Sequence, residues 1–149
     1  MTEIRKATLK DIPAIVSLIR ELAQAGGETS PISEDYAAGY LASPYSQVLL
    51  AEDASGVTGL LSYSVRPDLY HAGLCCMVEE LVVAGDKRGR GTGGALLETL
   101  LAQGQASGWA EVSVGVMRDN LRAQEFYRCH GLVDEALLLE MHLGALSRA

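Results

Sequence analysis

The chain has 149 residues, 48% hydrophobic and 21% charged, which suits one domain with a real core and excludes a disordered chain. Its formal net charge of −7 repels a polyanion, so DNA and RNA are discounted as partners. No run approaches the roughly 18 apolar residues of a membrane span, and the opening MTEIRKATLKDI lacks the apolar region of a secretory signal. The expectation is a cytoplasmic protein with no membrane partner.

Glu3–Ala7 reads as a short strand. Thr8 and Asp11 have capping-box spacing, Pro13 suits a first helical turn, and Ile12, Ile15, Val16, Ile19 and Leu22 form one helical stripe that Gly26 and Gly27 end. Ser33–Leu41 reads as a weaker helix. Val48–Glu52 and Val57–Val65 read as strands joined by Asp53-Ala54-Ser55-Gly56. A loop follows at Arg66–Gly73, then a strand at Cys75–Val83 and a charged loop at Ala84–Arg90. Leu96, Leu97, Leu100 and Leu101 mark a long helix over Gly91–Ser107. Val112, Val114 and Val116 alternate as a strand, Asn120–His130 is a helix, and Leu137–His142 reads as a last strand. The order β-α-α-β-β-β-α-β-α-β is a mixed α/β, α+β-like pattern: an antiparallel first half, crossover helices in the second.

Cys75 and Cys76 are neighbours in a strand and point to opposite faces, so they pair poorly, and Cys129 is distant. No CxxC or Cys/His zinc spacing appears, so reduced, space-filling cysteines and no metal are expected.

The informative stretch runs from Glu79 to Leu97, where a strand enters a glycine-rich loop that opens a helix. The first helical turn has backbone N–H groups without internal partners and the positive end of the helix dipole. Glycines admit an anion close to that backbone, and Lys87, Arg88 and Arg90 add positive charge. The physical reading is a phosphate site. A Walker loop is excluded, because the loop ends Gly93-Gly94-Ala95 where Gly-Lys-Ser/Thr is needed. Gly89, Gly91 and Gly94 match GxGxxG, but context opposes a dinucleotide site. Ala84–Arg88 separate strand from glycines, and Glu111, the candidate ribose-binding acid, starts a strand rather than ending one.

Arg88-x-x-Gly91-x-Gly93 resembles the Q/R-x-x-G-x-G/A signature of the GNAT (Gcn5-related N-acetyltransferase) superfamily. Asn120, Ala123, Phe126, Tyr127 and Gly131 resemble its N-x-x-A-x-x-F-Y-x-x-x-G segment, and the element order matches over nearly the whole chain. A softer similarity links Ser17–Leu22, Leu69-Tyr70-His71 and Glu80–Val83 to the bacterial aminoalkylphosphonate acetyltransferase branch; it names no substrate. The resemblance implies a mostly antiparallel mixed sheet of about six or seven strands with about four helices, splayed between its fourth and fifth strands.

It also implies acetyl-CoA as co-substrate, with no metal. The pyrophosphate would lie on the N–H groups of Gly89, Arg90, Gly91, Thr92, Gly93 and Gly94, with Arg88 nearby. The pantetheine arm would enter the splay and pair with Leu81, Val82 and Val83 like a missing strand. The Val83 N–H would polarise the thioester carbonyl. An amine of pKa ~10 must shed a proton before it attacks, and a carboxylate can take it. Glu80 is the first candidate and Glu79 the second; on a regular strand only one of them faces the cleft. The histone-acetylating branch has its glutamate where this chain has Met77, which argues against a histone-type substrate. Tyr127 matches the family tyrosine that protonates the leaving thiolate, and its alternative is a core role. Asn120 matches a residue that contacts the cofactor arm, and its alternative is a helix cap. His71 and Tyr70 are candidate acceptor-binding residues, and their alternative is plain surface.

The function so implied is N-acetyl transfer to a primary amine of a small molecule or peptide, with a mild preference for a cationic acceptor from the acidic balance. A non-catalytic acyl-CoA-binding sensor module is the alternative. The oligomeric state stays open between monomer and homodimer.

Overall fold

The computed structural model describes residues 1–144 and 147–148. Its main sheet has five strands in the order β1-β3-β4-β5-β6: β1 (Glu3–Lys6), β3 (Ser46–Asp53), β4 (Gly56–Asp68), β5 (Gly73–Val83) and β6 (Glu111–Val114). All neighbours are antiparallel except β5 and β6. Helices α1 (Ile12–Ala25) and α2 (Glu34–Ala42) follow β1, α3 (Thr92–Ser107) crosses from β5 to β6, and α4 (Leu121–Cys129) comes after β6. A two-residue strand β2 (Glu28–Thr29) pairs with β7 (Ser147–Arg148) in a separate ribbon.

Helices on both faces explain why the central strands bury apolar residues on both sides of the sheet. Val48, Leu50, Leu60 and Val82 pack against Ile15, Val16, Leu18 and Ala37 of α1 and α2. Leu49, Ala51, Leu61, Tyr63, Cys76 and Val78 pack on the opposite face against Leu96, Leu97 and Leu100 of α3. Each fully buried leucine contributes about 1.5–3 kcal/mol of transfer free energy. The apolar stripe of α1 predicted the first layer; Ile12, Ile19 and Leu22 complete it as half-buried members.

The β1–α1 junction is held electrostatically. Thr8 N–H donates to Asp11 at 2.8 Å, and the Arg5 guanidinium grips both oxygens of Asp11 at 2.8 Å. That grip holds the Asp11 carboxyl down at about 2 despite its burial. Among the described residues, no helix is long and apolar enough to cross a membrane.

Three expectations need correction. The main sheet has five strands, fewer than expected. Leu137–His142 forms no strand; its residues are exposed and join no ladder. The leucines there suit a strand, but a strand requires a partner edge for its backbone groups, and only tertiary placement supplies one. The expected Val112–Val116 strand is also shifted, since its ladder covers Glu111–Val114.

Candidate active site

The site begins with an irregularity in β5. Ser62 of β4 pairs with Glu80, and the next residue, Tyr63, pairs with Val78, so Glu79 is an extra residue in the strand. This is a β-bulge, and it breaks the rule that neighbouring side chains face opposite ways. Ser62 and Ser64 are two apart on β4 and share the face covered by α1 and α2. The Ser62 hydroxyl donates to Glu80 Oε1 at 2.6 Å, and the Ser64 hydroxyl donates to Glu79 Oε1 at 2.8 Å. Both carboxylates therefore stand on one face.

Their environments differ. Glu79 is exposed and Glu80 is half-buried. Burial pushes the Glu80 carboxyl above its usual range; the Ser62 bond opposes the shift and the Glu79 charge adds to it. Tyr40 of α2 completes the cluster. Its phenol is pushed up to about 12, first by burial and then by the charges of Glu80 and Glu79.

On the other edge of β5, pairing with β6 covers only Cys75–Val78 against Glu111–Val114. From Glu79 to Val83 the edge facing β6 has no ladder partner among the described residues. The sheet splays where the sequence resemblance implied, and the unpaired edge offers backbone donors and acceptors to an extended ligand.

The glycine loop lies directly beyond that edge. Gly89 and Gly91 have φ of 76° and 80°, left-handed backbone in which glycine is at ease, and Gly91 is the N-cap of α3. A Cβ at either would meet nothing within 4 Å, so the space above them is open. Thr92, Gly93 and Gly94 form the first turn of α3, and that turn has no acidic residue to compete for an anion. A Cβ at Gly93 would lie 3.7 Å from Phe126 of α4 and 3.8 Å from Val83 of β5, so the loop, the last helix and the splayed strand meet there. These features fit a pyrophosphate with an extended arm: Gly89–Gly94 would hold the diphosphate, and the Leu81–Val83 edge the arm.

The basic residues behave differently from one another. Arg88 Nε donates to the Val83 carbonyl at 3.1 Å and its guanidinium lies 3.5 Å from Glu21, so it ties the loop to the strand end. Glu21 also accepts from Gly85 N–H at 2.8 Å. Lys87 is paired with Asp53 at 3.4 Å. Arg90 is exposed beside Gly91.

Tyr127 enters from the α3 and α4 side, half-buried against the core cluster that includes Leu61 and Val78. Burial raises its phenol, which stays protonated at neutral pH. The two glutamates and Tyr127 thus belong to opposite faces of the sheet with the splay between them. Asn120 caps α4, its Oδ1 accepting from Ala123 N–H at 3.1 Å, so the capping role is present.

His71 and Tyr70 are not gathered here. They precede β5, and the five steps from Cys75 to Glu80 span about 16 Å of strand. His71 instead meets Asp68, Cys75 and Glu111. Sequence reasoning missed Ser62, Ser64, Tyr40 and Glu21. The only signal for the first two was a pair of serines at alternate positions in an apolar strand.

Comparisons with known proteins agree with this geometry. Residues 13–132 match the Acetyltransferase (GNAT) family. Among solved structures, a ribosomal-protein-alanine N-acetyltransferase from Brucella melitensis biovar Abortus 2308 superposes with a TM-score of 0.81 at 18% identity, covering 97% of this chain and 100% of that one. An aminoglycoside acetyltransferase from an uncultured soil metagenomic sample, in complex with sisomicin, gives 0.82 at 19% identity over 97% and 96%. A putative acetyltransferase from Agrobacterium tumefaciens str. C58 gives 0.84 at 20% identity over 94% and 99%. At such identities the likeness is one of fold. Comparison with the curated proteins finds no match. The family match spans most of the chain, from α1 through α4, and with it this protein belongs to the GNAT family of acetyltransferases.

Proposed function

We propose that this chain is an enzyme that moves an acetyl group from acetyl-CoA to a primary amine of a small molecule or peptide. The observation that carries the reading is the bulge at Glu79: it sets two carboxylates on one face of β5, beside the strand's unpaired edge and next to an open glycine loop. The family uses acetyl-CoA, which when bound supplies an activated thioester carbonyl.

The chain's residues divide the work. Gly89–Gly94 amides hold the diphosphate, and the Leu81–Val83 backbone aligns the arm. Glu80 takes the proton of the incoming ammonium, because its half-buried carboxyl has a raised affinity for protons and the reciprocal bond with Ser62 fixes its rotamer. Glu79, more exposed, holds the positive charge of the acceptor. Tyr127, kept neutral by burial, delivers a proton to the leaving sulfur, whose thiol pKa is ~8.5 in the free state, and is reprotonated through solvent by the second proton that the nitrogen sheds as the amide forms. Similar structures include enzymes named for an aminoglycoside and for a ribosomal-protein alanine, so both small-molecule and peptide amines belong in the assay panel. The aminoalkylphosphonate similarity adds that amine class to the panel.

A raised, hydrogen-bonded glutamate at the splay supports an enzyme over an acyl-CoA sensor, which needs no proton acceptor. The test is calorimetry with acetyl-CoA followed by acetylation of the amine panel. Binding with turnover of at least one amine supports the proposal. Tight binding with no turnover on any amine makes the chain a sensor, and no binding by folded protein removes both readings.

A further inference from the structure

At the other end of β5, Asp68, His71 and Cys75 bring a carboxylate oxygen, an imidazole nitrogen and a sulfur within 4.8 Å of one another. Asp68 Oδ2 lies 2.5 Å from His71 Nδ1, and Cys75 Sγ lies 3.6 Å from the same nitrogen. Glu111, at the start of β6, approaches the other ring nitrogen at 3.6 Å.

Three features are hard to explain as surface chance. Cys75 is 1% exposed, yet its sulfur is aimed at a polar cluster rather than into an apolar core; its neighbour Cys76 takes the core position. Two carboxylates, Asp68 and Glu111, converge on one histidine beside that sulfur, and Arg66, paired with Cys75 across the ladder, is the nearby cation that offsets part of their charge. The loop also bends sharply at Ala72, whose φ of 51° makes it the only non-glycine residue with positive φ among those described. Such a conformation strains an alanine, and the rest of the loop must offset that strain to keep His71 over Cys75.

We infer that Asp68 Oδ2, His71 Nδ1 and Cys75 Sγ form a binding site for a divalent transition metal of the zinc class, separate from the acetyl-transfer site. Thiolate and imidazole donors favour zinc over magnesium or calcium. A sulfur–nitrogen separation of 3.6 Å suits two ligands of one tetrahedral ion, whose bonds are about 2.3 and 2.0 Å. The Asp68 oxygen must withdraw by less than about 1 Å from the ring nitrogen to make the third ligand. On binding, the Cys75 thiol releases its proton to solvent. With Nδ1 on the ion, the ring proton sits on Nε2, which faces the Glu111 carboxylate 3.6 Å away, the kind of outer partner that orients metal-bound histidines. Water fills the fourth position. The ion joins the 68–73 loop to the starts of β5 and β6 and so stabilises the lower half of the splayed pair. The spacing Asp68-x2-His71-x3-Cys75 matches no familiar zinc pattern, so sequence reasoning expected no metal here.

The test uses the full chain, stripped with a chelator and titrated with Zn2+ against a chromophoric competitor. We expect one Zn2+ per chain with a dissociation constant at or below about 1 μM. Co2+ should bind with a thiolate charge-transfer band. Cys75→Ser should abolish that band, and both it and His71→Gln should weaken Zn2+ binding about a hundredfold; Glu111→Gln should weaken it about tenfold. Cys129→Ser should change nothing. Far-UV circular dichroism of the metal-free variants verifies their fold, and His71→Gln, at an exposed position, serves if Cys75→Ser misfolds. Absence of stoichiometric Zn2+ uptake by folded protein overturns the inference, as does uptake that His71→Gln leaves unchanged. Acetyl-CoA calorimetry on the same samples reports on the transferase reading independently.

Discussion

Ser62 and Glu80 hold each other twice across the β4–β5 ladder: the serine hydroxyl donates to Glu80 Oε1 at 2.6 Å and accepts the Glu80 N–H at 3.0 Å. The serine is almost wholly buried, so this link is shielded from water. It sits at the bulge that turns Glu79 onto the same face. Ser62 thus fixes the position of the candidate base and opposes the burial that raises its carboxyl.

The pH profile should expose this link. Glu80 acts as a base only when ionised, and burial raises its carboxyl, so activity should climb through a midpoint above the usual carboxylate range. The Ser62 bond favours the charged form. Ser62→Ala should therefore move the acidic limb of kcat/KM to higher pH, and Glu80→Gln should lower kcat by about 10²–10³ with acetyl-CoA affinity unchanged. An unmoved limb in Ser62→Ala would assign the base elsewhere.

The same shift has a consequence for stability. A carboxyl raised by folding gives its full contribution below its unfolded pKa and loses it as pH rises through the folded value. Glu80→Gln, which removes the charge but keeps the shape, should melt higher than the parent at neutral pH and lose that advantage in acid. Thermal melts at two pH values decide it.

Asp11 carries the opposite sign. Its carboxyl is held at about 2 by Arg5, so its contribution is present above the ordinary value of 3.8 and disappears as pH falls from there towards 2. Asp11→Ala should cost on the order of 2 kcal/mol at neutral pH and flatten the acid limb of the stability curve. Urea titrations between neutral pH and pH 3 would show it.

Tyr127→Phe tests the proposed acid. It removes one hydroxyl and keeps the ring that packs beside Phe126, with centroids 5.1 Å apart. Turnover should fall about a hundredfold while the calorimetric affinity for acetyl-CoA stays put. A variant with normal turnover would return Tyr127 to a core role.

Gly91→Ala should act on fold and site together. Its φ of 80° strains any residue with a Cβ, by about 1–2 kcal/mol, although the space itself is open. Weaker acetyl-CoA binding with a lowered melting point is expected. Gly94→Ala, at a helical φ but with a Cβ that would come within 3.2 Å of the His130 ring, should be milder on acetyl-CoA binding.

Much of this protein was legible before any coordinates. The α1 stripe, the leucines of α3, the glycine loop and the Asn120–Gly131 block are local patterns, and local patterns follow from helix periodicity, capping and the backbone freedom of glycine. What required the tertiary structure was everything that depends on a partner across the sheet. A bulge is a mismatch between two strands, so one strand's sequence cannot announce that Glu79 and Glu80 share a face. Leu137–His142 reads as a strand but joins no ladder, and His71 reads as a lone loop residue until chain reversal at Ala72 brings Asp68, Cys75 and Glu111 around it. Propensity belongs to the residue, whereas pairing, burial and charge environment belong to the neighbours that folding supplies.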